Sequence, residues 1–344
     1  MPLKVAVLGA TGLVGKEILS VLDERGFPAD EVIALSSRKV IGSEVSFGEK
    51  TLKTRDVEEF DFSTVQLCIM ATGDPAARKW GNKAAANCIV IDTSRAFRMD
   101  PQVPLIVPSV NADAIEGFSR RNIVAVPDGV TAQLVTVLKP LHQAAGVERV
   151  VVATYQSVSG DGQRAIDELW TQTKGLYVNQ APEPKEFPRQ IAFNVIPQVD
   201  EFMDDGFTEE EWRISQEVRK IVDSDIQVVA TCVRVPTFVG VGEAVHVELA
   251  EALSASDARA MLREAPGVML VDKKQEEDGY VTPVESVGEW ATFVSRLRED
   301  PTVANGLAFW VVSDDLRNGG ALLAVQAAEL LLNRGALSSP LKAQ

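Results

Sequence analysis

The 344-residue chain is long enough to bury a sizeable core, and its length predicts two domains. The fractions of hydrophobic residues, 46%, and charged residues, 24%, are ordinary for a globular protein. The net charge of −15 argues against nucleic-acid or anionic-membrane binding, because both need basic patches. No apolar run approaches the length of a membrane span and no secretory signal is visible, so we expect a cytoplasmic protein.

The first 130 residues alternate predicted strands with predicted helices. Gly9 opens a tight turn between the first strand and the first helix. This order is typical of a parallel, doubly wound sheet, so we predict an α/β domain over residues 1–130. The predicted strands are Leu3–Leu8, Glu31–Leu35, Val65–Met70, Ile89–Ile91 and Ile123–Val126, and the predicted helices are Leu13–Asp23 and Pro75–Ala86.

The pattern changes after an amphipathic helix that begins near Thr131. Thr208 and Glu211 form a capping-box pattern at the start of a later helix. The order of elements predicts an α+β domain with a mixed sheet over residues 131–315, and a C-terminal helix over about 316–334 that returns to the first domain. Strands are predicted at Arg149–Ser157, Ile226–Val235, Glu243–Leu249, Thr292–Leu297 and Gly306–Val312, and helices at Gly160–Lys174, Thr208–Ile221 and Leu316–Leu332.

The segment after the first strand is a glycine-rich turn. Gly9 permits the turn, Gly12 lets the backbone approach a pyrophosphate, and Gly15 permits close packing of helix against strand. The free N–H groups of the helix N-terminus then bind phosphate. An ordinary turn between strand and helix could carry the same glycines, but the strand–turn–helix setting favours dinucleotide binding. The predicted contacts are Gly9, Thr11, Gly12, Leu13, Val14 and Gly15.

The end of the second predicted strand indicates which cofactor is bound. Enzymes that use NAD usually carry an acidic residue there to hold the ribose hydroxyls. Here the chain reads Ser36, Ser37 and Arg38, and hydroxyls with a guanidinium suit a 2′-phosphate. NADP is therefore the predicted cofactor, although an ordinary solvated arginine is the alternative. Thr72 and Gly73, which follow the third predicted strand, are also placed in the cofactor site.

The three cysteines lie in apolar sequence. Cys68, Cys88 and Cys232 are expected to be buried reduced thiols, with no disulfide and no metal site.

Arg234 lies inside an otherwise apolar strand, where a charge needs a partner or a ligand. From the residues alone, a structural ion pair is the more usual interpretation of such an arginine.

Several longer segments are more specific than the glycine-rich turn. They are Gly9–Gly15, Ala96–Asp100, Thr154–Gly160, Cys232–Pro236 and Trp310–Asp314. Together they resemble the aspartate-semialdehyde dehydrogenase family over nearly the whole chain. The resemblance implies a Rossmann-type first domain completed by the C-terminal helix. It also implies a second domain that carries the substrate site and pairs with a second subunit to form a homodimer.

The resemblance also implies a chemistry and a set of site residues. Family members reduce aspartyl phosphate with NADPH: a cysteine attacks the acyl phosphate, hydride reduces the thioester, and a histidine serves as general acid and base. By resemblance, Arg98 holds phosphate, Arg234 holds the substrate carboxylate, and Gln156 lies beside the nucleophile. Glu210 and Arg213 match a Glu/Lys pair that frames the pocket, with arginine replacing lysine.

The chain departs from the family pattern at the chemical centre. Gly129, between an apolar strand and a helix, stands at the cysteine position, and Val241 stands at the histidine position. His246 follows in the same strand with the opposite phase, so we expect it on the other face. Asp315 replaces an asparagine that resembles a cofactor contact. Because the acyl-phosphate route needs a thiolate, the ordinary activity of the family is not expected.

Two functions remain open from the sequence. The first is an NADP-dependent oxidoreductase that transfers hydride directly to a small aspartate-like or dicarboxylic substrate held by Arg98 and Arg234. Asp128 is the nearest candidate proton donor, although an N-cap before Thr131 is its simpler interpretation. The second is a catalytically inactive paralogue that binds NADP or a partner subunit, as a homodimer or as a heterodimer with an active homologue.

Overall fold

The computed structural model describes residues 2–180, 183–273 and 278–337. The chain divides into two units by its internal packing. The first contains the described residues of 1–128 and 319–344, and the second those of 129–318. The chain thus leaves the first unit after Asp128 and returns to it after Asn318.

The first unit is built on a parallel sheet with buried central strands. Its strands are β1 (Lys4–Leu8), β2 (Glu31–Ser36), β3 (Glu44–Phe47), β4 (Lys50–Lys53), β5 (Arg55–Asp56), β6 (Leu67–Met70), β7 (Ile89–Asp92) and β8 (Ile123–Ala125). The sheet order is β5-β2-β1-β6-β7-β8, and β3 and β4 form a separate antiparallel hairpin. β6 and β7 are buried along their whole length, as expected for continuous apolar runs in a parallel sheet.

Helices alternate with the strands of this sheet. They are α1 (Leu13–Glu24), α2 (Asp74–Ala85) and α3 (Pro108–Asn111). α1 connects β1 to β2, and α2 connects β6 to β7. This alternation brings the carboxyl ends of β1, β2 and β6 to one edge of the sheet, where ligands bind in doubly wound folds.

The second unit is built on a mixed sheet. Its helices are α4 (Gly129–Ala145), α5 (Gln163–Tyr177), α6 (Glu209–Ile221) and α7 (Ala255–Glu264), and its strands are β9 (Val147–Gln156), β10 (Gln227–Arg234), β11 (Val241–Leu249), β12 (Val268–Leu270), β13 (Thr292–Asp300) and β14 (Gly306–Ser313). The order is β10-β9-β11-β14-β13-β12. The outer pairs β9–β10 and β12–β13 are parallel, and the inner pairs are antiparallel. The predicted α/β class, with a parallel sheet and then a mixed sheet, is confirmed.

The last helix, α8 (Leu322–Asn333), packs within the first unit against α1 and β7. Arg25, directly after α1, donates two hydrogen bonds of 2.7 Å to the carboxylate of Glu329 in α8. This bidentate pair adds directional contact to the apolar packing between the two helices.

Three helix starts differ from the sequence predictions by two residues or more. α4 begins at Gly129 rather than near Thr131. α5 begins at Gln163 rather than Gly160, because a short 3-10 turn over Val158–Asp161 precedes it. The C-terminal helix begins at Leu322 rather than Leu316, because the preceding turn is broken by a non-helical residue, Gly319. The capping box of Thr208 and Glu211 is confirmed, with both hydrogen bonds formed.

The structure also describes the state of the cysteines, the lengths of the helices and the grouping of metal-ligating side chains. Cys68, Cys88 and Cys232 are free and buried, and burial raises the pKa of the Cys88 thiol to about 12. Over the described part of the chain, no helix is both long and apolar enough to cross a membrane. Within the same residues, no cluster of three or more metal-ligating side chains is present.

Candidate active site

The glycine-rich loop has no space for side chains at two positions. A Cβ built on Gly9 would lie 2.1 Å from the carbonyl oxygen of Ala71, and one built on Gly15 would lie 2.1 Å from the carbonyl oxygen of Gly9. Gly9 also has a φ of +85°, which favours glycine. Gly12 directly precedes α1 and has no side chain to cap its first turn. The N–H groups of Gly9 and Gly12 donate to the carbonyl oxygens of Leu35 and Gly9, both at 3.0 Å. The first N–H groups of α1 have no carbonyl partner within the helix and no cap from the Gly12 side, as an anion site at a helix start requires.

The other cofactor residues predicted in the first unit lie near this loop in the chain or follow neighbouring strands at the same end. Leu13 and Val14 are the first residues of α1, and Thr11 lies in the turn before them. Ser36 is the last residue of β2, and Ser37 precedes a short turn over Arg38–Val40. Thr72 and Gly73 follow β6, and Gly73 is the N-cap of α2.

Arg38 has acidic partners that the sequence reasoning missed. Its guanidinium donates to Asp56 at 3.0 Å and to Glu59 at 2.9 Å. Asp56 is opposite Ser36 in the β2–β5 pairing, so an acid does lie beside the end of β2. The pKa of Asp56 is lowered by the backbone N–H of Glu58 and by Arg38. The Arg38 side chain remains 70% exposed, which leaves it reachable by a ligand.

Arg98 and Asp128 are brought together in the first unit. Arg98 is buried, and its guanidinium donates to the Asp128 carboxylate at 3.0 Å and to the carbonyl oxygen of Thr93 at 2.9 Å. The ion pair stabilises the ionised form of Asp128, which makes it a poor proton donor. α4 begins at Gly129, so Thr131 lies inside the helix and the predicted start near Thr131 was too late. Asp128 directly precedes the first residue of the helix.

The start of α4 is packed against Asp315 within the second unit. A Cβ built on Gly129 would lie 2.8 Å from the Cα of Asp315 and 3.0 Å from both its Cβ and its carbonyl oxygen. The first distance is shorter than real Cβ contacts, the other two are tighter than most of them, and two of the three atoms are backbone. A side chain at position 129 would therefore require the backbone at Asp315 to shift.

The carboxylate of Asp315 is held by donors from two other segments. Its oxygens accept hydrogen bonds from the Ser159 hydroxyl at 2.9 Å and the Gly240 backbone N–H at 2.8 Å, with the Ser157 hydroxyl at 3.4 Å. Burial raises the pKa of Asp315, the charge of the neighbouring Asp314 raises it further, and the Gly240 and Ser159 donors lower it.

Val241 and His246 lie on opposite faces of β11. Val241 is buried and pairs with Gln156 on β9 and Ser313 on β14. His246 is exposed, and its Nδ1 lies 3.0 Å from a carboxylate oxygen of Asp300. The strand phase therefore separates the two, and His246 does not replace a base at position 241.

Gln156, Glu210 and Arg213 form one buried polar group in the second unit. The Gln156 amide donates to Thr154 at 3.2 Å and to Glu210 at 3.3 Å. Arg213 contacts both Glu210 and Asp200. The structure thus brings the predicted Glu210–Arg213 pair together, and adds an acidic partner, Asp200, that lies outside every motif.

Arg234 also has an internal carboxylate partner. It is 4% exposed, its Nη1 donates to the carbonyl oxygen of Ser157 at 2.6 Å, and its Nη2 lies 2.9 Å from an oxygen of Asp161. Sequence reasoning missed Asp161, and its only signal was an acid between two glycines, Gly160 and Gly162, directly after the family motif ends at Gly160.

Two family models cover most of the chain. Residues 4–118 match the NAD-binding domain of semialdehyde dehydrogenases, and residues 138–318 match the semialdehyde dehydrogenase dimerisation domain. The aspartate-semialdehyde dehydrogenase of Shewanella violacea is 44% identical over 330 residues, which are 95% of this chain and 97% of that one. The chain belongs to the aspartate-semialdehyde dehydrogenase family. The family of oxidoreductases that the sequence motifs resemble is thereby confirmed.

Other members of the aspartate-semialdehyde dehydrogenase family show the same extent of similarity. The enzyme of Aquifex aeolicus is 42% identical, with 97% of this chain and 99% of that one covered. The crystal structure of aspartate semialdehyde dehydrogenase II from Vibrio cholerae superposes with a TM-score of 0.94 at 43% identity, over 97% of this chain and 99% of that chain. The predicted combination of a Rossmann-type domain and a mixed-sheet domain is therefore that of the family.

Proposed function

We propose that this family member is an NADP-dependent oxidoreductase that transfers hydride directly to a small carbonyl or imine substrate, without a covalent thioester. The observation that carries the proposal is the packing of Gly129 against Asp315. We assign position 129 to the family nucleophile, and the Cα of Asp315 lies 2.8 Å from the place of its Cβ, too close for an ordinary contact. The thiol route therefore has neither the residue nor the space it needs.

The cysteines of the chain offer no substitute nucleophile. Cys68 and Cys232 lie in the interiors of β6 and β10, and Cys88 directly precedes β7. Burial raises the pKa of Cys68 and Cys88 well above that of a free thiol, so neither is ionised at neutral pH. A hydride acceptor that is already a carbonyl or an imine needs no such group.

The first unit fits the cofactor. The backbone approaches closely at Gly9 and Gly15, and Gly12 places no side chain before the first N–H groups of α1, which suit a pyrophosphate. Ser36, Ser37 and the exposed Arg38 suit a 2′-phosphate. Bound NADPH would supply the hydride. The remaining proposed contacts are Thr11, Leu13, Val14, Thr72, Gly73 and Asp315.

Within the proposed mechanism, Asp315 supplies the proton that the reduced oxygen or nitrogen requires. Its carboxyl borders Gly129, and Ser159 and Gly240 fix its position. Asp128 is less suited, because Arg98 stabilises its ionised form. Arg98 and Arg234 would hold the acidic groups of a small dicarboxylic substrate, with Gln156, Glu210 and Arg213 supporting the pocket.

Asp315→Asn is expected to change how stability depends on pH. The folded-state pKa of Asp315 is raised above its unfolded value of 3.8, so the native state binds the proton more tightly than the unfolded state. The stability that this carboxyl contributes is therefore fully present below the unfolded pKa of 3.8 and is lost as the pH rises through the folded pKa. The asparagine variant should gain stability relative to wild type between pH 4 and 7, measured by urea unfolding. An equal difference at both pH values would contradict the assigned shift.

The exposed face of the second sheet supports a homodimer. Alternate residues of β9 and β11 are buried, and the others face outward. On that outer face Tyr155 is 37% exposed and lies 5.6 Å from the ring of Trp310. Trp310 covers Gly242, where a Cβ would come within 2.4 Å of the indole. An aromatic face of this kind fits burial against a second copy, in line with the matched dimerisation domain.

Tyr155→Glu is expected to produce a monomer. A carboxylate on this face would be buried without a partner in a dimer, while it stays solvated in a monomer. Sedimentation velocity would show the change, with Tyr177→Glu as the control because Tyr177 is 78% exposed on α5. A Tyr155→Glu protein that remains dimeric would place the interface elsewhere.

A catalytically inactive paralogue is the second candidate, and one observation favours it. Arg98 and Arg234 both have internal carboxylate partners, so neither offers an uncompensated charge to a substrate. Such a protein would bind NADP or a partner subunit, including an active homologue in a heterodimer.

Cofactor titration followed by a turnover screen separates the two candidates. NADPH and NADH would be titrated by fluorescence, and NADPH oxidation screened with small oxo acids, semialdehydes and cyclic imines. Tighter binding of NADPH with turnover supports the oxidoreductase, and binding without turnover supports the paralogue. No binding of either nucleotide would contradict the proposed function.

A further inference from the structure

The side chain of Arg234 is fixed from several directions. The residue ends β10, and its backbone N–H and carbonyl exchange hydrogen bonds with Ile196 at 2.8 and 2.9 Å. Its Nη1 lies against the carbonyl oxygen of Ser157 and 3.1 Å from the place of a Cβ on Gly160. Glycine at 160 thus lets the guanidinium pass close to the backbone. The charge is held at one place rather than moving with a flexible side chain.

Asp161 completes this environment from a more exposed position. Its carboxylate lies 2.9 Å from Nη2 of Arg234, and its side chain is 43% exposed, against 5% for that of the arginine. The residue ends the short turn Val158–Asp161, and the following Gly162 has a φ of +85°. A buried, fixed cation therefore faces a carboxylate that water already reaches.

We infer that Asp161 is a specificity-determining residue, whose carboxylate occupies the place of a ligand carboxylate on Arg234. The inference rests on the proposed function, because it takes Arg234 to belong to the substrate site. A small carboxylate anion must displace Asp161 before it contacts the guanidinium. Asp161 thereby lowers the affinity of the site for such anions, and it excludes anions that cannot displace its carboxylate from Arg234.

The exchange has a definite electrostatic consequence. With Asp161 in place, the positive charge of Arg234 is compensated, and an incoming carboxylate meets a neutral pair. Without Asp161, a guanidinium that is almost fully buried lacks this partner, and a bound carboxylate restores charge-assisted hydrogen bonding. The chain's own carboxylate and the ligand compete for one cation.

Calorimetric titration with succinate tests the inference on the full chain without nucleotide. Asp161→Ala is expected to bind succinate at least about tenfold more tightly than wild type, the worth of one charge-assisted contact. Asp167→Ala is the matched control, because Asp167 lies on α5 and accepts a hydrogen bond from Gln163 instead. Its succinate affinity should equal that of wild type. The double variant Asp161→Ala with Arg234→Met should lose the gain.

Equal succinate affinity in wild type and Asp161→Ala would overturn the inference, as would a gain that survives the loss of Arg234. Asp161→Asn keeps the shape of the side chain without its charge, and serves as a second variant if Asp161→Ala perturbs folding. Its succinate affinity should lie between those of wild type and Asp161→Ala. Failure of the oxidoreductase proposal would appear as absent hydride transfer. Because the succinate titration needs no NADPH, its result can be interpreted independently of that failure.

Discussion

Gly12→Ala is expected to fold normally and to bind NADPH roughly 10- to 100-fold more weakly, the worth of one or two hydrogen bonds to a charged group. A Cβ at this position meets only the carbonyl oxygen of Gly9 at 3.4 Å, an ordinary contact, and the φ of −75° suits alanine. The added methyl would instead stand between the loop backbone and a pyrophosphate. Fluorescence titration with NADPH and a thermal unfolding curve would measure both effects.

Gly117→Ala is the control for this experiment. Its nearest neighbour would be the side chain of Pro104 at 3.9 Å, and it lies away from the loop in sequence. Gly15→Ala, in contrast, should fail to fold because its Cβ would lie 2.1 Å from the backbone at Gly9. Unchanged NADPH affinity in a folded Gly12→Ala protein would show that the loop does not hold the cofactor.

The second large effect is expected at the start of α4. Gly129→Cys should lower the free energy of unfolding by about 1–3 kcal/mol, the usual cost of overpacking. It should not gain aspartate-semialdehyde oxidation, even together with Val241→His. The reason is that the new Cβ meets the Cα and carbonyl oxygen of Asp315, so a shorter side chain at 315 would not relieve the contact.

Urea unfolding of Gly129→Cys, Gly129→Ala and Gly117→Cys tests this steric account. Gly129→Ala carries the same Cβ and should lose similar stability, while Gly117→Cys should stay close to wild type. A Gly129→Cys protein as stable as wild type, and active with aspartate semialdehyde and phosphate, would contradict the assigned loss of covalent chemistry.

Local sequence predicted the elements that depend on nearby residues. The turn from β1 into α1 follows from Gly9, Gly12 and Gly15, and the start of α6 follows from Thr208 and Glu211. These features depend on backbone conformation and hydrogen bonds within a few residues, which a sequence pattern displays directly. The parallel pairing of the main strands in the first sheet likewise follows from alternating strands and helices.

Long-range charge pairing could not be predicted in the same way. Asp56 and Asp161 carry no local sequence signal of their partners, which are set by which strands and turns pack together. The family resemblance implied that Arg98 and Arg234 hold a ligand, whereas the residues alone favoured a structural ion pair for Arg234. Neither could identify the internal carboxylate that pairs with each arginine. Several short strands were also missed, such as β5 and β12, because two or three residues carry no periodicity.

The central claim is that hydride transfer proceeds without a thiol. The most direct test uses NADPH carrying deuterium at C4, in each stereochemical form, with a variant in which Cys68, Cys88 and Cys232 are replaced by alanine. Mass spectrometry would follow deuterium into the reduced products of small oxo acids, semialdehydes and imines. We expect transfer at a similar rate in wild type and in the folded thiol-free variant. Transfer that disappears with the thiols, or that is absent from wild type altogether, would contradict the account.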